Sequence, residues 1–185
     1  MQASQAWVDW RQLTRFHKSA IIAMNREVEF INETTHIEFT LNIGQSKYTA
    51  QRNEHLSTIS DHRYLNSAII LYSYALAESA VGEILNIDAS KSGGTENWGE
   101  QLLKFVQHTW SDVEGGKSGL IEVSIIRNII AHGGRTFDIT DTNRMNQAGG
   151  NQSWMAGDPL IISHQTVQEV RARLRSLLRL ANIAA

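Results

Sequence analysis

The fold of this chain is decided by residues 118–134, which read SGLIEVSIIRNIIAHGG. Apolar residues recur there at the three- and four-residue steps of a helix, namely Leu120, Ile121, Val123, Ile125, Ile126, Ile129 and Ile130. Gly133 and Gly134 follow directly, and glycine commonly ends a helix because it adopts the left-handed conformation without strain. We therefore expect an apolar helix that begins near Ser118 and ends at about His132.

The composition limits the class of protein. The 185 residues are 42% hydrophobic, which suffices for one domain with a core but not for two full domains. A net charge of -2 excludes binding of nucleic acid by bulk positive charge, so any RNA contact must be local. The chain has no cysteine, which suits a reducing cytoplasm. No apolar run approaches the roughly 20 residues that span a bilayer, so we expect neither a signal peptide nor a membrane anchor.

The periodicity and the single proline predict an all-α fold, an up-and-down helical bundle of about five helices. The predicted helices are 3–32, 61–85, 95–110, 118–132 and 164–182. Two short insertions break the pattern. Residues 34–53 resemble a strand and a turn, and residues 135–163 resemble a hairpin-like excursion or ordered loop with its tip at Gly149-Gly150-Asn151. The prediction is one domain, 1–185, with a core at about 61–182 and helix 3–32 packed on it.

The buried helix carries the residues that suggest chemistry, Arg127, Asn128 and His132. Arg127 and His132 lie about 140 degrees apart around an ideal helix, so they border one cleft only if the backbone unwinds after His132. Cleavage of RNA by the ribose 2′-hydroxyl needs proton transfer and stabilisation of a phosphorane. Histidine supplies the first and arginine the second, without a metal or cofactor. Asn128 has the hydrogen-bonding groups to orient His132 or a phosphate.

The arrangement Arg-Asn-x-x-x-His at the end of an apolar helix, followed by glycine, is similar to the R-x(4-6)-H motif of HEPN domains. The order of helices also fits, over about residues 61–182. The resemblance implies a helical bundle that forms a homodimer with two copies of the motif facing one cleft. It further implies metal-independent endoribonuclease activity of the kind found in toxins and antiviral defence proteins, with an antitoxin or other regulator as a possible partner.

An acidic residue on the helix before the motif is a recurrent feature of such domains, and Glu78 falls at that position. A buried carboxylate needs a partner, so Glu78 is the first candidate to orient Arg127, with Glu83 as the alternative. Arg135 follows the glycines, and Arg171 and Arg175 lie on one side of the last helix. These three arginines are candidates for contacts with the RNA backbone, although a solvated helix face is the simpler explanation of the last two.

Two other hypotheses remain open from the sequence. The first is a non-catalytic HEPN-like module that binds a nucleotide or assembles with a partner, in which Arg127 and His132 are ligands or structural residues. The second is a structural helical protein in which the motif is a coincidence. Scattered histidines such as His55 and His62 lack nearby carboxylates in a ligand-like spacing, so no metal site is expected.

Overall fold

The computed structural model describes residues 3–35, 37–91, 93–149 and 154–183, and most of them are helical. A two-stranded sheet lies between the first and second helices. The elements are α1 (Ala3–Glu33), β1 (Glu38–Ile43), β2 (Ser46–Gln51), α2 (Arg52–Ser60), α3 (Arg63–Leu85), α4 (Thr95–Val106), α5 (Gly116–Ala131), α6 (Ile139–Gln147) and α7 (His164–Leu180). Single turns of 3₁₀ helix occupy Ala89–Lys91 and Trp110–Asp112. The prediction of a mostly helical bundle with a hairpin insertion is confirmed.

Helix α3 lies at the centre of the bundle and packs against α1, α4, α5 and α7. Its residues Ile70, Ala77 and Val81 are fully buried. They belong to a main core that also contains Trp10 from α1 and Trp98 from α4. Removing apolar surface from water contributes about 25 cal/mol per Å², so this shared core is the main stabilising contact between the helices.

The hairpin fulfils the prediction for residues 34–53. Strands β1 and β2 are antiparallel, with Thr40 opposite Thr49, and the two hydroxyl oxygens lie 3.1 Å apart. Gly44 in the turn has φ +59, a conformation that glycine adopts without cost. The ring of His55 on α2 packs 5.7 Å from the ring of Phe39, so the hairpin rests on α2.

The interpretation of residues 135–163 as hairpin or loop is wrong, because the segment contains α6. Asp138 caps this helix by accepting a hydrogen bond of 2.7 Å from the backbone N–H of Asp141. Met145 then anchors α6 in a second core cluster with Phe137. Within the described ranges, this segment has one isolated antiparallel β-bridge, between Thr136 and Pro159. Gly150 and Asn151 of the expected tip lie outside the described residues.

The sequence analysis also did not predict helix α2. With α2 and α6, the described residues contain seven α-helices, whereas about five were expected. Its boundary with α3 is made by Asp61, whose carboxylate accepts a hydrogen bond of 3.0 Å from the backbone N–H of Arg63. The polar break at Asp61 interrupts the helical path before the apolar run of α3 begins.

Residues Arg52–Leu85 form the one helical stretch of the described chain that is long and apolar enough to cross a membrane. In the bundle, 44% of its most apolar window is buried. The buried residues, such as Ile69 and Ile70, contact the other helices of the main core. This is the pattern of a core helix, and it is compatible with a soluble protein.

Candidate functional site

Helix α5, which carries the motif, is buried on two sides. Leu120, Val123 and Ile126 pack into the main core. Ile121, Ile125 and Ile129 pack into the second cluster, against α6 and Phe137. Because both sides are covered, the polar residues of the motif, Arg127, Asn128 and His132, lie only at the edges and the end of the helix.

Arg127 lies at the edge of α5 that faces α3 and is half-buried. Its guanidinium carbon stands 5.1 Å from the ring centre of Tyr74, which is a cation–π distance. Its Nη1 donates a hydrogen bond of 2.9 Å to Oδ1 of Asn128. The side chain of Asn128 therefore holds Arg127 and is not bonded to His132.

Tyr74 is itself fixed by residues of α4. The hydroxyl of Thr95 donates a hydrogen bond of 3.2 Å to the hydroxyl of Tyr74. The ring of Trp98, which is fully buried, meets the ring of Tyr74 edge-on at 6.1 Å. Arg127 thus lies on the ring of Tyr74, which Thr95 and Trp98 hold in place. We call these three residues the platform under Arg127, and sequence reasoning missed it. The available signal was that Tyr74 precedes Glu78 by one helical turn, on the same side of α3.

Glu78 lies near Arg127, as the sequence predicts, but no ion pair within 4.0 Å joins the two among the described residues. Burial raises the pKa of Glu78, and the positive charge of Arg127 opposes that rise. Glu78 also lines a groove of about 520 Å³ along α3, together with Glu83 and Asp88. These carboxylates repel a phosphate that approaches along the groove.

His132 caps the C-terminus of α5. Its backbone N–H still donates to the carbonyl of Asn128 at 3.0 Å, and the chain then closes in a Schellman motif. Gly133 has φ +70, and the N–H of Gly134 donates to the carbonyl of Ile129 at 2.8 Å. A Cβ at position 134 would stand 3.0 Å from Cγ2 of Ile129. The imidazole of His132 is exposed at this end, without a hydrogen-bond partner in the described part of the chain.

A single chain does not bring Arg127 and His132 into contact within the described residues. The backbone stays helical to Ala131, so the two side chains keep the separation of about 140 degrees expected for an ideal helix. Arg127 faces α3, whereas His132 stands at the end of α5. The glycines end the helix where the sequence predicts.

The three candidate RNA-binding arginines have different environments. Arg135 is exposed just past the glycines, and its carbonyl accepts a hydrogen bond of 2.8 Å from the N–H of Leu160. Arg171 points inward and donates to Ser73 Oγ at 2.8 Å, to Thr14 Oγ1 at 2.6 Å and to the carbonyl of Trp10 at 3.2 Å. It therefore ties α7 to α1 and α3 and does not lie on a solvated face. Arg175 is half-buried one turn later.

Comparison with protein family models, with curated proteins and with solved structures gave no match. Within the described ranges, no group of three or more histidine, aspartate or glutamate side chains is placed to hold a metal ion.

We expect Glu78→Gln to leave the protein at least as stable as the wild type at pH 7. The pKa of Glu78 is raised in the folded state, so its contribution to stability is complete below its ordinary value of 4.5. That contribution is lost as the pH rises through the folded-state pKa, because the buried carboxylate must then ionise. Glutamine never ionises and avoids this loss. Urea unfolding of both proteins at pH 4 and pH 7 measures the difference.

The control for this prediction is Glu29→Gln, which changes an exposed carboxylate on α1 and should leave the pH dependence as in the wild type. If Glu78→Gln were less stable than the wild type at pH 7, attraction to Arg127 would outweigh the cost of burial. Should Glu78→Gln also leave RNA cleavage unchanged, Glu78 would have no part in positioning Arg127.

Proposed function

We propose that the protein is a metal-independent endoribonuclease of the HEPN type, which cleaves RNA by attack of a 2′-hydroxyl on the adjacent phosphate. One observation carries the proposal. The guanidinium of Arg127 is held in place by Tyr74 and Asn128 on the last turns of a helix that ends with the exposed imidazole of His132. A fixed, planar cation and a free acid/base, carried here by the same helix, are the two groups that this reaction requires.

The roles follow from the environment of each group. His132 transfers protons because its exposed ring is free to meet a substrate hydroxyl. Arg127 grips two phosphate oxygens and offsets the charge that develops on the phosphorane. Asn128, Tyr74 and Glu78 are positioning residues, which act on Arg127 and not on RNA. Arg135, exposed beside His132, contacts the RNA backbone, and Arg175 is a second candidate for such a contact.

A second copy of the chain completes the site in this proposal, because one chain keeps Arg127 and His132 apart. An exposed face of α3 supports a homodimer. Tyr64 and Tyr72 there are 68% and 56% exposed, although α3 is otherwise the central core helix. Small residues, Ala68 and Ala75, lie between and after them on the same exposed face. An antiparallel pairing of two such faces places each Tyr72 over a small residue of the other copy.

The setting proposed for this activity is the cytoplasm, where the protein acts as a toxin or as a phage-defence or stress effector. An antitoxin or other regulatory partner restrains it there. An RNase without a partner degrades cellular RNA, so expression of the protein alone slows growth. A non-catalytic module that binds a nucleotide or a partner protein leaves growth unchanged, and this comparison separates the two hypotheses.

The direct test uses purified protein and a labelled single-stranded RNA in the presence of EDTA. We expect cleavage with 2′,3′-cyclic phosphate ends, because the attacking group is the neighbouring 2′-hydroxyl. The same sequence with 2′-deoxy sugars should remain intact. Cleavage of the deoxy substrate, or complete loss of cleavage in EDTA, would contradict the proposed mechanism.

A further inference from the structure

A second candidate site lies between α1 and α7 and shares no residue with the motif. It is a cleft of about 290 Å³, which we call the α1–α7 cleft. Helix α1 supplies one wall and the first half of α7 supplies the other. The lining residues that carry charge or titrate are His17, Lys18, His164, Arg171 and Arg175.

The charges in this cleft are uncompensated. No carboxylate is among the described residues that line it. Burial, with the neighbouring charge of Arg175 adding to its effect, lowers the pKa of Arg171 to about 10. Burial also lowers the pKa of His17, with the charges of His164 and Arg171 adding to the effect. Three cationic side chains and two histidines therefore face one space without a counter-ion from the protein.

Two groups of the cleft, Arg171 and His17, are held in place. Arg171 is fixed by its three hydrogen bonds and by the ring of Trp10, 4.5 Å from its guanidinium carbon. The Nδ2 of Asn66 donates to the carbonyl of Ile162 at 3.3 Å, which leaves its Oδ1 to accept from Nε2 of His17 at 2.9 Å. This bond fixes the ring of His17, which lies 5.2 Å from the ring of His164. Groups that are already fixed, as Arg171 and His17 are, need little ordering when an anion binds.

We propose that the α1–α7 cleft binds a phosphate monoester, such as the terminal phosphate of a nucleotide or of an RNA chain. A phosphate carries up to two negative charges and accepts several hydrogen bonds, which matches the two arginines and the lysine. Its charge removes the mutual repulsion of the lining cations, which no residue of the cleft relieves. The proposal stands on the geometry of the cleft and does not depend on RNA cleavage by the motif.

Isothermal titration with inorganic phosphate and with uridine 5′-monophosphate, at constant ionic strength, tests the proposal. We expect saturable binding to the wild type, weakened about tenfold or more in Arg175→Gln, since a hydrogen bond to a charged group contributes about 1.5–3 kcal/mol. Arg175 makes no hydrogen bond or ion pair within the described residues, so its replacement should leave the thermal unfolding temperature unchanged. Lys18→Gln, on the opposite wall, should weaken binding in the same direction.

The matched control is Arg26→Gln, which removes an exposed arginine of α1 outside the cleft and should not alter the affinity. Absence of binding to the wild type at millimolar phosphate would overturn the proposal. An equal loss of affinity in Arg26→Gln and Arg175→Gln would also overturn it, because binding would then follow net charge alone.

The two sources of the phosphate are distinguished with short RNAs that differ only at the 5′ end. This arm uses the His132→Ala variant, so that cleavage does not consume the probe. Tighter binding of the 5′-phosphorylated RNA than of uridine 5′-monophosphate identifies an RNA end as the ligand. Tighter binding of the mononucleotide identifies a free nucleotide. If the 5′-hydroxyl RNA bound as well as the phosphorylated RNA, the cleft would not recognise a phosphate monoester.

Discussion

Replacing His132 with alanine is expected to reduce RNA cleavage about 10²- to 10⁴-fold, the range that general acid–base catalysis contributes. The loss should appear in kcat, because His132 moves a proton in the transition state and does not hold the substrate. The fold should persist. His132 is exposed, and its contribution to the helix end is made by its backbone N–H, which alanine also has. Surface changes of this kind alter stability by about 0.5 kcal/mol or less.

Single-turnover cleavage rates and urea unfolding of the same protein preparations measure both parts of this prediction. His108→Ala serves as the matched control, since His108 is also exposed and lies in the turn before the Trp110–Asp112 segment. That variant should cleave at the wild-type rate. Unchanged cleavage by His132→Ala would assign the activity to other residues or to a contaminating nuclease.

The second large effect is expected for Arg127→Lys, which should lower kcat about 10²- to 10³-fold although the positive charge is retained. Lysine lacks the planar fork that binds two phosphate oxygens and whose central carbon stands 5.1 Å from the ring centre of Tyr74. It also changes the hydrogen bond to Asn128. Cleavage rates and the affinity for a 2′-deoxy RNA analogue separate loss of catalysis from loss of binding. Arg26→Lys, outside both sites, is the control.

Mixing the two inactive variants tests the composite site. If Arg127 of one chain works with His132 of the other, a mixed dimer of Arg127→Lys and His132→Ala contains one intact pair. Random exchange of subunits makes about half of the dimers mixed, so about a quarter of the wild-type rate should return. If subunit exchange restored no cleavage activity, Arg127 and His132 of the same chain would act together, contrary to the proposal.

The sequence predicts those elements whose stability comes from an apolar stripe. Helices α1, α3, α4, α5 and α7 each bury such a stripe, and the alternation in β1 marks the hairpin. Helices α2 and α6 were missed for a physical reason. None of the residues of α2 is buried, and α6 buries only Thr142 and Met145. With so few buried residues, both helices depend on contacts with neighbouring elements. Only α6 also has a local sequence signal, the capping pair Asp138 and Asp141.

For the candidate site, local signals sufficed only for the end of α5. Gly133 and Gly134 fix that end, because the Schellman closure requires a residue with positive φ and one without a Cβ. The platform under Arg127 joins α3 to α4, and the partners of Arg171 come from α1 and α3. Contacts between residues so far apart in the chain do not produce a periodic pattern in the sequence. A hydroxyl on the buried side of α3, that of Ser73, was the one hint that a polar side chain must reach it.

The bonds of Arg171 also bear on how the protein is made. Helix α1 leaves the ribosome first and α7 last among the described helices, yet Arg171 and the buried leucines of α7 join the two around α3. The central helix therefore has no complete set of neighbours until α7 has been synthesised. A nascent chain whose α7 has not yet been synthesised therefore keeps part of the apolar surface of α3 exposed to water.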